Sequence, residues 1–387
     1  MRKIAVIVFI LSLLQGCATI TARDTAINRQ EKLCRRLPSE ADGDYRIIQL
    51  FYATNRQARE QDGALDFSSN MAKGLTVGTL KASISPGIKI ERAVPKRLKK
   101  RGAVGVEEVV KLSDEDFIKS LATAVENSPH KSLLVFVYGY HDNFEMTAIK
   151  ASYFAYLLDV NTPILLFDWP GDRWSARGVY RKAEATATAS GPYLGSLLAK
   201  IIREVKPKKL WLESSSLGCQ VVCKAFEWMY QQDDLADSEA EISHVVLAAP
   251  DVSKNEFNNK FKDEIVALAD KLTAYVSSND RALLMARVVD REKKLGLQKV
   301  ALEQDDQFEE AKDLLSLKPL APDRITIIDV TPVNKAKGGH TYYIETPEFY
   351  DDFYMRLFGD SALYNRRLYP MKVMEDADYW VMYNDQE

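Results

Sequence analysis

Residues 209–223 read KLWLESSSLGCQVVC, and this stretch decides the fold prediction. A short apolar run, a cluster of small residues and a second apolar run indicate a strand, a tight turn and a helix. A serine nucleophile on such an elbow needs small residues two positions before and after it, because its strained backbone brings those positions against neighbouring elements. Ser214, where the usual motif has Gly, and Gly218 flank Ser216 in this way. Ser216 is therefore the candidate nucleophile.

Apolar runs bounded by turn residues recur on both sides of this elbow, and continuous runs of this kind are typical of parallel strands covered on both faces. The predicted strands are Leu133–Val137, Ile164–Phe167, Leu210–Leu212, Val245–Ala248, Leu272–Val276 and Ile325–Val330. Helix-like segments follow them at Asn143–Leu158, Tyr180–Val205, Gln220–Tyr230, Asp280–Val289 and Pro347–Phe358. Alternating strands and helices predict one mostly parallel, doubly wound α/β sheet with helices on both faces.

The remaining segments set the domain boundaries. Two β-rich runs at 45–54 and 75–84, separated by a polar loop, are the predicted opening strands, and Ser113 is a predicted helix cap. The basic run at 91–102 favours a solvated loop over a patch that contacts anionic head groups. We expect a domain over 45–358 with a charged surface insertion at 290–322, whereas the patterns do not place the tail at 359–387.

A serine hydroxyl is a poor nucleophile near neutral pH, so it needs an imidazole base and a carboxylate that orients the base. His340 follows the last predicted strand, and two glycines before it would let a loop carry the ring over the strand ends. Asp280 follows the penultimate strand and is the favoured acid, with Asp251, one strand earlier, as the alternative. The order serine, acid, histidine is the one expected after a strand-to-helix elbow.

Such a site also needs two backbone amides that stabilise a negatively charged oxygen. The amide of Leu217 begins the helix after Ser216, and the amide of Tyr140 lies in the turn after the strand that ends at Val137. Tyr138, His141 and Trp169 stand at the same predicted edge and are possible pocket residues. Trp169 could equally belong to the core, and His141 could instead cap its turn.

The first seventeen residues have a basic start, an apolar run from Ile4 to Leu14 and then Gly16-Cys17. The run is too short to span a bilayer, which takes roughly 20 residues, and suits a secretory signal. A Cys directly after a small residue resembles the bacterial lipoprotein signal, so we expect cleavage of 1–16 and lipidation of Cys17; an ordinary signal is the alternative. Residues 17–44 then form a tether. In enterobacterial lipoproteins, which this signal resembles, an Asp after the Cys favours the inner membrane. Ala18 at that position therefore implies the outer membrane, with the domain facing the periplasm.

Composition excludes several classes of protein. Apolar residues make up 46% of the 387 residues, enough for a core, and the formal charge of −3 shows no basic excess of the kind that nucleic-acid binders carry. Four cysteines without a C-x-x-C pair argue against a zinc module. Cys219 and Cys223 are four residues apart, which could mimic a metal pair, but buried small residues are favoured. We expect no metal and no cofactor.

Seven segments together resemble an uncharacterised bacterial α/β-hydrolase family, one of the domain-of-unknown-function groups, over residues 46–345. They are FYATNR (51–56), LLVFVYGYHDNFE (133–145), ILLFDWPG (164–171), SSSLG (214–218), VVLAAPDV (245–252), YVSSNDRAL (275–283) and GGHTYY (338–343). The resemblance implies an α/β-hydrolase fold with Ser216, Asp280 and His340 as its catalytic triad. The family usually has His-Gly at 138–139 and Gly-His or Ala-His at 214–215, where this chain has Tyr-Gly and Ser-Ser.

Two functional hypotheses follow. The first is a membrane-anchored serine hydrolase of the esterase, lipase or thioesterase kind, with an acyl or ester substrate that is a small molecule or a lipid. The second, motivated by Tyr138 and Ser214, is a catalytically inactive hydrolase fold that serves as a binding or scaffolding lipoprotein of the cell envelope. Pattern alone does not fix the substrate or the oligomeric state, because loops shape the pocket.

Overall fold

A mixed β-sheet forms the centre of the computed structural model. The model describes residues 40–42, 45–61, 64–90, 94–171, 177–236, 241–290, 292–297, 324–358, 368–370 and 379–383. Within these ranges the sheet has twelve strands. They are β1 (Glu40–Asp42), β2 (Tyr45–Gln61), β3 (Ala64–Ile84), β4 (Val104–Lys111), β5 (Ser132–Val137), β6 (Ile164–Asp168), β7 (Lys209–Ser215), β8 (His244–Ala248), β9 (Leu272–Val276), β10 (Ile325–Asp329), β11 (Leu368–Pro370) and β12 (Tyr379–Met382).

Most of this sheet is parallel. Its order is β11-β12-β10-β9-β8-β7-β5-β6-β2-β3-β4, with β1 beside β2. Every pair from β12 through to β2 is parallel, whereas β11, β1, β3 and β4 join their neighbours in antiparallel fashion. The predicted mostly parallel sheet is confirmed, and the carboxyl ends of β5, β7, β8, β9 and β10 therefore meet at one edge.

Helices cover both faces of the sheet, as the sequence predicts. The described helices are α1 (Pro95–Lys100), α2 (Asp114–Asn127), α3 (Phe144–Leu158), α4 (Arg177–Lys200, continued by a π-helical turn at Ile201–Val205), α5 (Gly218–Tyr230), α6 (Asp233–Ala236), α7 (Lys254–Glu256), α8 (Lys262–Leu268), α9 (Arg281–Asp290), α10 (Tyr342–Glu345) and α11 (Pro347–Phe358). Helices α3 and α11 pack on one face, and α2, α4, α5 and α8 pack on the other. Along β7, Trp211 faces the first group while Leu210 and Leu212 face the second.

Local signals explain several helix boundaries. Ser113 caps α2, because its hydroxyl accepts from the amide of Asp116 at 3.1 Å. The basic run at 91–102 differs from the predicted loop, since part of it forms α1. Pro95 stands at the first turn of α1, where its missing N–H costs nothing, and Leu98 is fully buried.

The opening strands are longer than predicted. The polar segment between 54 and 75, expected to be a loop, continues the β2–β3 hairpin out to Gln61 and Ala64. Phe67 is buried between the rings of Tyr52 and Phe144, at centroid distances of 5.7 and 4.5 Å. One buried aromatic residue thus ties an otherwise polar ribbon to the domain.

Two further segments, at 292–297 and in the tail, belong to the folded domain. Residues 292–297, at the start of the predicted surface insertion, are packed inside the domain, because Lys294 and Leu295 are buried. In the tail, β12 pairs in parallel with β10 and extends the sheet. The other residues of the insertion, the signal 1–16 and the lipidation site Cys17 lie outside the described residues, as does most of the tether at 17–44. None of the helices that the structure describes is long and apolar enough to cross a membrane.

Candidate active site

Ser216 lies between β7 and α5 in a strained backbone conformation. Its φ of 54° is in the left-handed region, which costs a residue with a β-carbon roughly 1–3 kcal/mol. Three backbone hydrogen bonds hold it there. The Ser216 N–H donates to Ala248 O at 2.9 Å, and its carbonyl accepts from the amides of Cys219 at 3.0 Å and Asp251 at 3.2 Å. The surroundings thus fix the elbow in place.

The residues two positions before and after Ser216 lie in tightly packed surroundings. A β-carbon added to Gly218 would lie 2.4 Å from Val137 O and 2.7 Å from Tyr138 O. Ser214, which stands where the usual motif has Gly, is fully buried and its hydroxyl lies 3.3 Å from the sulfur of Cys219. A serine therefore fits this position without an unpartnered polar group.

His340 connects the serine to a carboxylate. Its Nε2 lies 2.9 Å from Ser216 Oγ, and its Nδ1 lies 2.7 Å from Asp280 Oδ2. A neutral imidazole fits both contacts when Nδ1–H donates to Asp280 and Nε2 accepts the serine proton. The structure brings together the three residues that the sequence nominated.

Asp280 is fully buried and also begins a helix. Its second oxygen, Oδ1, accepts from the amides of Ala282 and Leu283, both at 3.0 Å, at the start of α9. Asp251, the alternative acid, lies elsewhere in the hydrogen-bond network. It accepts from the Tyr180 hydroxyl at 2.8 Å and pairs with Lys294 Nζ at 3.2 Å. The structure therefore places Asp280, and not Asp251, against the imidazole.

The loop that carries His340 is tied to the loop that carries Asp280. Gly339 has a φ of 75°, and an added β-carbon would lie 2.3 Å from Asn279 O. Asn334 Nδ2 lies 2.7–2.8 Å from Gly339 O, Asn279 Oδ1 and Ser277 Oγ. Asn334 was not among the predicted site residues. Its one signal in the sequence is that it is a polar residue shortly after the last predicted strand, at the same edge of the sheet.

The two predicted amides belong to residues that adjoin the elbow. Leu217 follows Ser216 directly, and Tyr140 follows Gly139, whose added β-carbon would lie 2.8 Å from Ser216 Cβ. Neither amide donates to an acceptor among the described residues. His141, next in the chain, has a φ of 91° and donates its N–H to Gly171 O at 3.0 Å. Both amides are thus available to a ligand oxygen, and their oxyanion role stays a prediction.

A cavity of about 340 Å³ opens at these groups. Tyr140, His141, Ser216 and His340 are among its walls, and a substrate contact by His141 stays a prediction. Tyr138 and Trp169 do not line this cavity. Tyr138 is buried against α3, and Trp169 is buried in the core with its indole N–H donating to Tyr138 O at 2.8 Å. Tyr138 therefore lies outside this cavity, and Trp169 takes the alternative core position.

Burial and neighbouring charges shift the pKa values of several ionisable groups in the cavity wall and behind it. Burial alone would lower the pKa of Lys150, but its partner Asp142 at 2.5 Å outweighs this and holds the pKa above its ordinary value. Burial lowers the pKa of His141, which favours its neutral form. Burial also raises the pKa of Glu213 to about 8, and neither carboxyl oxygen has a hydrogen-bond partner among the described residues. Glu213 is therefore protonated near neutral pH.

A second buried cluster, which the sequence patterns do not predict, lies beside the elbow. Lys294 is 1% exposed and its ammonium contacts Asp290 at 2.5 Å, Asp251 at 3.2 Å and Glu184 at 3.8 Å. Burial alone would lower the pKa of Lys294, but these carboxylates outweigh it and raise the pKa. The cluster joins residues 292–297 to the loop that holds the elbow backbone.

The two cysteines of α5 are part of the core. Cys219 and Cys223 are free and fully buried, and burial raises the pKa of both thiols. Over the ranges that the structure describes, no group of three or more His, Cys, Asp or Glu residues is arranged to hold a metal ion.

Comparison with known proteins gives a family match. The model of a family described as "Alpha/beta hydrolase of unknown function (DUF900)" matches residues 113–360. None of the curated proteins matches the chain.

Several solved structures are similar at low identity. A cold-adapted esterase from an Arctic intertidal metagenomic library has 10% identity and a TM-score of 0.36, covering 84% of this chain and 100% of its own. A putative hydrolase from Agrobacterium vitis S4 has 13% identity and a TM-score of 0.31, covering 77% of this chain and 97% of its own.

Proposed function

We propose that this chain, which belongs to that family of alpha/beta hydrolases of unknown function, is a membrane-anchored serine hydrolase that cleaves esters through an acyl-enzyme on Ser216. One observation carries the proposal. The imidazole of His340 lies within hydrogen-bond distance of both Ser216 Oγ and Asp280 Oδ2, at 2.9 and 2.7 Å. A hydroxyl, a base and an orienting carboxylate in this order are what nucleophilic acyl transfer needs.

The first step forms the acyl-enzyme. His340 Nε2 removes the proton of Ser216 as Oγ bonds to the ester carbonyl carbon, and the carbonyl oxygen becomes an oxyanion. The amides of Leu217 and Tyr140 donate to this oxygen, and one such donor is worth roughly 2.7–4 kcal/mol of the barrier. The intermediate then collapses. The bond to the alcohol oxygen breaks, and His340 gives its proton to that oxygen.

The second step releases the acid. His340 removes a proton from water as the water oxygen bonds to the acyl carbon, and a second oxyanion forms at the same amides. When the bond to Oγ breaks, His340 returns the proton to Ser216, and a carboxylic acid leaves. Asp280 stays ionised throughout and stabilises the imidazolium.

A serine-directed fluorophosphonate probe tests the nucleophile. We expect the full chain to be labelled, Ser216→Ala to lose labelling, and Ser214→Ala to keep it. Ser214 is the matched control because it lies in the same serine run but faces the core. Labelling that persists in Ser216→Ala would contradict the assignment.

The alternative, an inactive scaffolding lipoprotein, rests on the departures at 138 and 214. Both side chains are buried, and neither lies in the cavity with the reacting groups. This arrangement favours an active site. Turnover of a short acyl ester that disappears in His340→Ala would argue against the inactive form.

The anchoring part of the proposal rests on the sequence of residues 1–17. We infer that Cys17 carries the lipid and that the domain faces the periplasm from the outer membrane. A palmitate analogue with a click-chemistry handle should label the wild-type chain in cells, and Cys17→Ser should abolish this label. Equal labelling of both chains would contradict lipidation at Cys17.

A further inference from the structure

Helix α9 carries an apolar stripe on its exposed side. Val288 is 70% exposed, Met285 is 64% exposed and Leu284 is 42% exposed. The other large apolar side chains that are exposed in the described part of the chain occur singly, at Tyr45, Met71, Val110, Tyr230 and Tyr383. Single exposed apolar residues are ordinary, whereas a cluster on one helix points to an interaction surface.

This stripe is continuous with the candidate active site. Ala282, Met285 and Val288 are three residues apart, so they form one row along the helix, and the row extends for roughly 9 Å at 1.5 Å per residue. Ala282 and Leu283, at the start of the helix, line the cavity that holds Ser216. An apolar surface therefore leads from the cavity mouth outwards along α9.

The exposed charges on α9 itself are positive. They belong to Arg281 and Arg287, which lie on the same helix as the stripe. The one carboxylate of α9, Asp290, contacts the ammonium of Lys294 at 2.5 Å. A helix with an apolar stripe and flanking arginines has the composition of a segment that lies on an anionic membrane surface.

We propose that the α9 stripe docks on an anionic lipid surface and that the cavity takes the acyl ester of a lipid from it. The inference rests on the proposed function, because it names the substrate class of that site. Val94, Pro95, Leu283 and Ile344 supply apolar contacts in the cavity for an acyl chain. Arg281 and Arg287 would pair with lipid phosphates while Met285 and Val288 enter the acyl boundary.

Hydrogen exchange tests the docking surface without any need for turnover. The full chain is compared alone, with phosphatidylcholine vesicles, and with vesicles that also contain phosphatidylglycerol. We expect the mixed vesicles to slow exchange of α9 amides in the wild type and not in Met285→Ser/Val288→Ser, while α2 exchanges equally in both. Unchanged α9 exchange would overturn the proposal. Slowing that depends on protein concentration without vesicles would also overturn it, because a second copy would then cover the stripe.

Kinetics test the substrate class. The rate on a long-chain ester held in mixed vesicles is divided by the rate on a short ester in water. We expect Met285→Ser/Val288→Ser to lower this ratio by about tenfold, equivalent to roughly 1.4 kcal/mol, and Val110→Ser to leave it unchanged as the matched control. An unchanged ratio in the double variant would overturn the inference. Absence of turnover of both esters by the wild type would instead contradict the proposed function, and the exchange experiment would still decide the docking surface.

Discussion

At the scale of single residues, Gly139 constrains the position of the proposed nucleophile, Ser216, from outside the elbow. A β-carbon there would lie 2.8 Å from Ser216 Cβ and 3.1 Å from its Oγ, which is closer than such atoms pack. Ser216 cannot give way, since its left-handed backbone is held by hydrogen bonds to Ala248 and Asp251.

We therefore expect Gly139→Ala to lower kcat/KM on a short ester by roughly a hundredfold, the cost of displacing a reacting group by about 1 Å. Gly74→Ala is the control, because a β-carbon at Gly74 meets nothing within 4 Å. Steady-state kinetics on the short ester measure kcat/KM for both variants. Equal values for the two variants would show that the turn at Gly139 can shift freely.

The buried carboxyl of Glu213 should make the free energy of unfolding depend on pH. Burial raises its pKa in the folded protein to about 8, whereas a carboxyl in an unfolded chain titrates near its ordinary value of roughly 4.3. Between these values the folded state holds a proton that the unfolded state has released, so this group makes the free energy of unfolding fall as the pH rises through that window.

Glu213→Gln removes this titration while keeping the shape of the side chain. We expect its Tm relative to the wild type to rise between about pH 5 and pH 8, by an amount equivalent to a few kcal/mol. Thermal unfolding at three pH values within the window measures the difference. A Tm difference that does not change with pH would mean that Glu213 is not protonated in the fold.

At the scale of elements, Asp280 contacts both the candidate base and the first turn of helix α9. Oδ2 holds the imidazole of His340, while Oδ1 caps α9 through the amides of Ala282 and Leu283. Asparagine can keep the cap with its oxygen but presents an amide to the ring, which then favours the wrong tautomer.

Asp280→Asn should therefore lower kcat by about 10⁴-fold, as the corresponding change does in a serine protease triad, with little change in Tm. Asp280→Ala should lose similar activity and also about 1 kcal/mol of stability with the cap. Ester kinetics and thermal unfolding of the two variants separate the roles. If both variants lost the same stability, the cap would contribute nothing.

The elements that could be predicted from sequence are those that consist of a run of consecutive apolar residues. The run 272–276 is apolar and bounded by polar residues, and β9 has these bounds. The outer half of the β2–β3 hairpin has no such run, because Phe67 is the one buried apolar side chain among its described residues and only Leu65 packs partly buried beside it. Strand β12 was missed for a related reason, since four residues in a polar tail give no usable periodicity.

The candidate triad could be nominated because each member follows a predicted strand, whereas its supports could not. Asn334 and Lys294 act through partners that are distant along the chain, such as Ser277 for the first and Glu184 for the second. A single sequence does not show which distant residues are in contact. The buried ammonium of Lys294 instead resembled one more charge in a run of surface residues.

On the scale of the whole molecule, the order of strands explains why distant residues meet. Ser216, Asp280 and His340 follow β7, β9 and β10, and only β8 separates β7 from β9 in the sheet. The loop after β8 carries Asp251, whose amide donates to the carbonyl of Ser216 at 3.2 Å. Four consecutive strand ends thus build one site, and the stability of that edge depends on what lies beyond β10.

The strands beyond β10 belong to the tail, which makes the tail part of the active domain. Strand β12 pairs in parallel with β10 over Ile327, Ile328 and Asp329, and its Val381 and Met382 are buried. Removing residues 359–387 would expose the backbone of β10 as an open edge and would lose the burial of two apolar side chains, each worth roughly 1.5–3 kcal/mol.

We expect the chain truncated after Phe358 to have a lower Tm, to aggregate, and to lose fluorophosphonate labelling, because the loop with His340 follows β10 directly. Truncation after Tyr383 is the matched control, since it shortens the chain and keeps β11 and β12. Light scattering during thermal unfolding and probe labelling measure both chains. If the two truncated chains behaved alike, β12 would be dispensable and the domain would end at 358 as the sequence predicts.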